Sequence, residues 1–571
     1  MLRRVVLLAA LAAVLLPSTT AGATELVPGV TYKREVIRTI ASRVVLYEIV
    51  APPPGGLYAL KPVLSNERVT GLERVSAMQK RLSRRATLAG VNGDLFTPAT
   101  GQPNSLLVRG NVLATKPITT RSSLGIGLDG LLHVGEVGYW GWFRVDSFPA
   151  HPFFEINRPL NYRTGVALFT PLWGSRTPWR RYAKEYVLAH VGPIHPNTDI
   201  RGQVVAVRRG SHLPIPAGGA VLQATGKWRA LLNLEAKRGR WVTLHADLKN
   251  WWDGVRNAIG GGPVIVRGGV AIKHAGEAFT SDQLARHPRT AVGQRADGRI
   301  VLLVADGRSA ASVGLTMAQL ANQMVRLGAI DAMALDSGGS STMAFDGHVF
   351  NHPSDGHERW IADALMVYYY GAYARTPRWR SFSPNGDGYK DIQRLYAKFV
   401  RTSSVHLQLL RPDGAVKWDY AATRGPGTIT KDLSDRLLME GTWRWIVSGV
   451  DGQGLASQME RRFVVNKTLG FLTLSKPRML VRTGVGGRQR IGFRQTNVAD
   501  LRVTIRRTNG RIVRHLASVN DHQPGSIAVL WNGRNDAGRV VRSGTFVAFV
   551  RALNGLGSTE LQKRFIVQRV S

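Results

Sequence analysis

Ile300-Val301-Leu302-Leu303-Val304-Ala305-Asp306, the run from Met317 to Leu327, and Ala332-Met333-Ala334-Leu335-Asp336-Ser337-Gly338-Gly339-Ser340-Ser341-Thr342 together decide the reading of the larger part of this chain. The first piece is a continuous apolar run, Ile300 to Val304, with Asp306 just past its end. In the second, Leu320, Met324 and Leu327 recur at helical spacing, and Gly328 stands where a helix C-terminus wants a glycine. The third is a short strand that delivers Asp336. A strand–helix–strand crossover predicts adjacent parallel strands with both aspartates at one end, where α/β sheets bind ligands. On that reading residues 24–375 form an α/β catalytic domain, a mixed sheet with helices.

Asp336 runs directly into two glycines and three hydroxyls. Backbone amides of Gly338 and Gly339, with Ser340, Ser341 and Thr342, suit close approach to a phosphate. The lysine of a Walker loop is missing, which disfavours nucleotide hydrolysis, and Arg289 offers the cation instead. Four further polar, glycine-rich clusters each follow an apolar run: Asn92-Gly93-Asp94-Leu95-Phe96, Gly260-Gly261-Gly262-Pro263, His287-Pro288-Arg289-Thr290-Ala291-Val292-Gly293 and Asp306-Gly307-Arg308. Any one alone reads as a tight turn; five in order do not.

In this order, across roughly 85–370, the clusters resemble the phosphodiester glycosidase family. Ser337, where a glycine is common, and Leu95, where an aromatic is frequent, are mild departures. The resemblance implies an enzyme that hydrolyses a sugar joined through C1 to a phosphodiester, releasing the sugar and a phosphomonoester. Asp336, Asp306 and Asp94 are then the candidate catalytic carboxylates, since glycosidases use paired acids; Asp336 or Asp306 is expected as base or nucleophile, and Asp94 as acid or sugar ligand. Asn92, Gly261, Gly262, Arg289, Thr290, Arg308, Gly338, Gly339, Ser340, Ser341 and Thr342 are expected to bind substrate. The region 140–240, with Trp140, Trp142, Trp173 and Trp179 among basic residues, resembles nothing familiar and reads as an insertion.

The remaining residues repeat. Gly441-Thr442-Trp443-Arg444-Trp445 returns as Gly544-Thr545-Phe546-Val547-Ala548, and Arg461-Arg462-Phe463-Val464-Val465 as Lys563-Arg564-Phe565-Ile566-Val567. Alternating strands with Asn/Asp-Gly turns predict two immunoglobulin-type sandwiches, at 376–467 and 468–571. Trp531-Asn532-Gly533-Arg534-Asn535-Asp536-Ala537-Gly538-Arg539-Val540 resembles the closing hairpin of FlgD-type domains, which implies a non-catalytic spacer or adhesive module. Ser383-Pro384-Asn385-Gly386-Asp387-Gly388-Tyr389-Lys390-Asp391 reads as a turn opening the first sandwich; a structural calcium is the other reading, although the acid expected at the twelfth position is absent.

Charge and export frame the function. The chain has 571 residues, 76 Lys and Arg against 38 Asp and Glu, a net charge of +38, and no cysteine. The missing cysteines exclude disulfide scaffolds, thiolate zinc sites and cysteine nucleophiles. Arg3-Arg4, the apolar run Val5–Leu16 and Ala21-Gly22-Ala23 form a secretory signal over 1–23, too short to span a bilayer. The expected location is therefore extracellular or at the cell envelope, with no transmembrane segment after cleavage. An exported basic protein meets anionic envelope polymers rather than nucleic acid. Residues 376–571 hold 33 Lys and Arg against 13 Asp and Glu. His274, His287, His348, His352 and His357 lack zinc-site spacing, and the implied reaction requires no cofactor. Two other readings remain: a non-catalytic binder of anionic wall polysaccharide, and a calcium-dependent adhesin built on the tail.

Overall fold

The computed structural model describes residues 22–38, 42–161, 163–249, 254–272, 276–482 and 485–570. Residues 1–21 of the expected secretory segment, and His274, lie outside them. The chain divides into two compact units, Met1–Tyr370 and Gly371–Ser571.

The expectation of an α/β catalytic domain is overturned. Strands account for 53% of the chain and helices for 7%. Four α-helices occur among the described residues: α1 (Val75–Leu82), α2 (Lys227–Glu235), α3 (Ser281–Leu284) and α4 (Met317–Arg326). The strands that position the site are β1 (Arg43–Ala51), β2 (Thr87–Asn92), β3 (Val255–Gly260), β4 (Val264–Arg267), β5 (Arg289–Arg295), β6 (Ile300–Ala305), β7 (Ala329–Ala334) and β8 (Asp363–Tyr369).

In an eight-stranded sheet these run in the order β1-β6-β5-β7-β4, each antiparallel to its neighbours. The helix α4 does connect β6 to β7, and those two strands are parallel to one another. They are not adjacent, however, because β5 lies between them and opposes both. The sequence Arg289-Thr290-Ala291-Val292-Gly293-Gln294-Arg295 reads as a polar loop cluster, since only Ala291-Val292 is apolar; it is in fact a strand buried at every position but the last. A buried β6 also reads as parallel, because continuous apolar strands are the mark of sheets covered on both faces. This antiparallel sheet is covered on both faces too. On one side α4 packs Leu320, Ala321 and Met324 against Leu303, Ala305 and Ile265; the other side meets the sheet holding β2.

The helix itself obeys its local signals. Thr316 accepts from the Gln319 amide while the Gln319 side chain accepts from the Thr316 amide, a capping box. Gly328 ends it at φ +84°. A five-stranded sheet pairs β2 with β8, covered by Val75, Met78 and Leu82 of α1. Most of the insertion forms a separate eight-stranded sheet between Tyr139 and Leu248, with a core that includes Phe143, Val166, Tyr186 and Leu244.

The second unit contains two sandwiches of one topology, each a three-stranded sheet facing a five-stranded sheet with a single parallel edge pairing. The repeat seen in the sequence maps onto equivalent hairpin strands, Gly441–Asp451 and Gly544–Asn554. Trp443 and Phe463 fill the first core, and Trp531, Phe546 and Phe565 the second.

Candidate active site

Strand direction builds the site. Since β6 and β7 both oppose β5, their C-terminal ends meet its N-terminal end: Arg289 pairs with Ala305, and Ala291 with Ala334. Arg289, Asp306 and Asp336 thus share one edge of the sheet, the convergence expected of them, reached through antiparallel pairing. Backbone bonds fix the connecting loops. The Gly338 amide donates to Pro288 O (3.0 Å), Asp336 N to Gly93 O (2.9 Å) and Gly262 N to Ala334 O (2.9 Å).

A cavity of about 160 Å³ opens here, walled by Gly262, Arg289, Arg308, Asp336, Ser337 and Gly338, with Leu95, Phe279 and Met317 supplying apolar wall and His287, Asp282 and Gln283 its rim. Gly262, at φ +101°, tolerates no side chain, since a Cβ would lie 2.5 Å from Glu277 Oε2 and 3.1 Å from the Phe279 ring. Gly261 is likewise packed, against Met333 and Ala334, and shapes the wall from behind.

Arg289 is enclosed, with 1% of its surface exposed. Its guanidinium donates to Leu315 O (3.1 Å), to Ser337 Oγ (3.1 Å) and to Ala285 O, all neutral. Burial, with the nearby Arg308 charge, pushes its pKa down to about 10. Exposed Arg308 lies over Gly338 and touches His287 Nδ1 at 3.1 Å. Neither guanidinium forms an ion pair with a carboxylate among the described residues. A buried cation that makes no ion pair is costly, and an anion in this cavity would offset that cost.

The structure ranks the three aspartates. Only Asp336 lines the cavity. Its Oδ1 accepts from the Ser337 amide at 2.8 Å, and burial raises its pKa against the opposing effect of the Ser340 and Ser337 hydrogen bonds. Asp306 sits apart from the cavity lining and is fully engaged, accepting from Tyr47 Oη (2.9 Å), Asn351 Nδ2 (3.2 Å) and the His352 amide (3.1 Å). It ties the loop at 351–352 to β1. Asp94 lies behind the wall, 2% exposed. Its Oδ2 accepts from Ser105 N at 2.7 Å and its Oδ1 has no partner. Burial and nearby Asp336 push its pKa up to about 7, though the Ser105 amide opposes them.

Several residues expected to bind substrate are engaged within the fold. Asn92 and Thr290 are wholly buried and bond to each other (2.8 Å), while Asn92 also donates to Asp336 O and accepts from Thr342 N; they clasp β2, β5 and the loop after β7. The amide cradle is largely spent, because the amides of Ser337, Gly338, Ser341 and Thr342 all have internal acceptors. Ser341 and Thr342 are buried. Ser340 Oγ accepts from Arg359 Nη1 (3.4 Å), and Gly339 leaves room for the Arg359–Asp355 pair. Gly338 alone of these five lines the cavity.

Asp363, at the head of β8, escaped sequence reading. It is completely buried, its Oδ1 accepts from the Asp94 amide (2.7 Å), its Oδ2 is unpartnered, and burial beside Asp94 holds its pKa well above the carboxylate range. An acid opening an otherwise apolar strand was the available signal. Among the described residues no group of three or more His, Cys, Asp or Glu could hold a metal. In the loop at 383–391, Asp391 accepts from the Gly386 and Gly388 amides and Asp387 from those of Tyr389 and Gln562, so these carboxylates make a turn and a strut.

Residues 196–368 match the family model described as phosphodiester glycosidase, a span that contains Gly262, Arg289, Arg308, Asp336 and Asp363 but not Asn92 or Asp94. A hypothetical protein from Synechocystis superimposes with a TM-score of 0.53 at 20% identity, over 62% of this chain and 64% of that one, a likeness of fold. The catalytic domain of zebrafish N-acetylglucosamine-1-phosphodiester alpha-N-acetylglucosaminidase, auto-inhibited by its pro-peptide, aligns at 14% identity over 62% of this chain and 88% of that one, with a TM-score of 0.34. The SPbeta prophage-derived uncharacterized protein YomE of Bacillus subtilis (strain 168) is 43% identical over 89 residues, 16% of this chain and 14% of that protein. No helix among the described residues is long and apolar enough to cross a membrane.

Proposed function

We propose that the unit carrying this family match hydrolyses sugar-1-phosphodiesters outside the cell, in envelope or extracellular glycopolymers. The observation that carries the reading is a cavity in which the carboxylate of Asp336 lies beside two guanidiniums that form no ion pair among the described residues, Arg289 and Arg308, with exposed Asp282 at its rim. Most glycosidases need a second carboxyl to protonate the leaving oxygen. A phosphodiester leaving group does not, because its charge already spreads over the phosphate oxygens. Fixed cations do the remaining work by stabilising charge as it accumulates there.

In this mechanism the phosphate faces Arg289 and Arg308 and the anomeric carbon faces Asp336. The C1–O bond breaks with its electron pair passing to the phosphate oxygen. Water adds to C1, and its proton passes to Asp336. The products are the free sugar and a phosphomonoester. Enclosed Asp94 and Asp363 act through position, setting the field beneath Asp336.

The test is release of N-acetylglucosamine or glucose from the corresponding UDP-sugars, and from an aryl phosphodiester of a sugar, between pH 4 and 9. Asp336→Asn is expected to lower kcat by at least ~10³-fold while leaving substrate affinity within a few-fold. No sugar release by the wild type at any pH, with binding intact and unchanged in Asp336→Asn, would instead make the cavity a non-catalytic binding site for anionic polysaccharide.

A further inference from the structure

The second unit holds a larger cavity than the first. About 620 Å³ opens between the two sandwiches, walled on one side by Arg436 and Lys467 and on the other by Phe471 and Lys563. A second depression of about 320 Å³ lies against the same Phe471, with Arg490 and Arg494 in its wall. Phe471 therefore stands on the ridge between two hollows.

Phe471 is anomalous twice over. Its side chain is 77% exposed, although a phenyl ring gains by burial. Its backbone takes φ +58°, a left-handed conformation that costs a non-glycine residue of order 1 kcal/mol or more. The cause is a β-bulge: the register of Leu469–Leu474 against Gln489–Gln495 shifts between Gly470 and Thr473, and bulges re-aim side chains. Glycine precedes Phe471 at 470, so the sequence has the residue that would relieve the strain one position away from where it is needed. Strain and exposure at one residue, above a cavity, mark a ligand platform.

The flanking charge names the ligand. Among the described residues, Arg436, Lys467, Lys563, Arg490 and Arg494 form no ion pair with a carboxylate; the ammonium groups of Lys467 and Lys563 donate to the carbonyls of Leu438 and Leu472. The two acids in the wall are occupied. Glu440 accepts from Lys467 N and Asn497 Nδ2, and Asp387 from Tyr389 N and Gln562 N. An aromatic face takes the apolar face of a sugar ring, and guanidinium and ammonium groups on both sides take phosphates spaced along a chain. We propose that this cleft is a second, non-catalytic site that binds a phosphate-bearing glycan strand, with a sugar on Phe471 and phosphates in the hollows beside it.

The site stands independently of the glycosidase reading, and the probe keeps the two apart. Glucosylated poly(glycerol phosphate), whose sugars hang from glycerol hydroxyls, contains no sugar-1-phosphodiester and cannot be turned over in the first unit. Calorimetry of the full chain with this polymer is expected to show binding that Phe471→Ala weakens about 5- to 10-fold, with an unchanged melting profile. Arg436→Gln with Lys563→Gln is expected to weaken it and flatten its salt dependence. Both variants should release sugar from a small phosphodiester at the wild-type rate. Neutral dextran should bind at least tenfold more weakly. Overturning results are equal affinity for dextran, no effect of Phe471→Ala, or equal affinity for a DNA oligonucleotide of matched charge that Phe471→Ala leaves untouched.

Discussion

Arg289 and Asp94 are both buried ionisable groups, yet they set opposite pH limits. Arg289 keeps its charge until about pH 10, so activity that needs it should fall on a basic limb near that value, while the acid limb follows Asp336, raised above the usual carboxylate range by burial. Arg289→Met should cost about 10²–10³ in kcat and abolish the basic limb, read from a pH–rate profile on a small phosphodiester. Asp94 concerns stability. Its pKa is raised in the fold to about 7, so the native state binds more protons than the unfolded chain between the ordinary carboxylate value and about 7, and stability falls as pH rises through that window. Asp94→Asn keeps an acceptor for Ser105 N and removes the charge. Its melting temperature should vary less than that of the wild type between pH 4 and 7 and exceed it by several degrees at pH 8, as followed by circular dichroism.

Among the elements, what was legible followed local chemistry, and what was missed followed partners distant in sequence. The helix α4 was readable from its spacing and Gly328, and its capping box confirms that reading; Thr316→Ala should cost about 1 kcal/mol in a denaturant titration without altering the pH–rate profile. The paired strand hidden in Arg289–Arg295 was not readable, since its polar ends answer to the cavity and to loop carbonyls rather than to period-two patterning. That single strand converts a supposed parallel crossover into an antiparallel sheet while leaving Asp306 and Asp336 at the same edge. The two repeats were readable because each sandwich core depends on residues close in sequence, such as Trp443 and Phe463. Asn92, Thr290 and the hydroxyls after Gly339 read as ligands for a related reason: polar residues beside glycines serve equally to bind substrate or to knit loops, and only their partners in the fold distinguish the two.

Across the whole molecule, charge is denser in the tail, since residues 376–571, about a third of the chain, hold +20 of the +38, while the cations of the cavity are two, Arg289 and Arg308, and one is buried. These two kinds of charge respond differently to salt. Exposed cations lose their reach when the screening length falls from about 10 Å at 0.1 M toward 3 Å at 1 M ionic strength, whereas a buried guanidinium touching its ligand is little affected. For a small sugar phosphodiester, kcat/KM should therefore change less than about threefold between 0.05 and 0.5 M NaCl. For a polymer with repeating sugar-1-phosphodiesters, KM should rise at least ~10-fold over the same range while kcat holds. Steady-state kinetics on the two substrates in parallel makes the comparison. Equal salt sensitivity would place the dominant attraction at the cavity mouth, at Arg308, and unequal sensitivity places it on the exposed basic surface, where the cations of the Phe471 cleft belong.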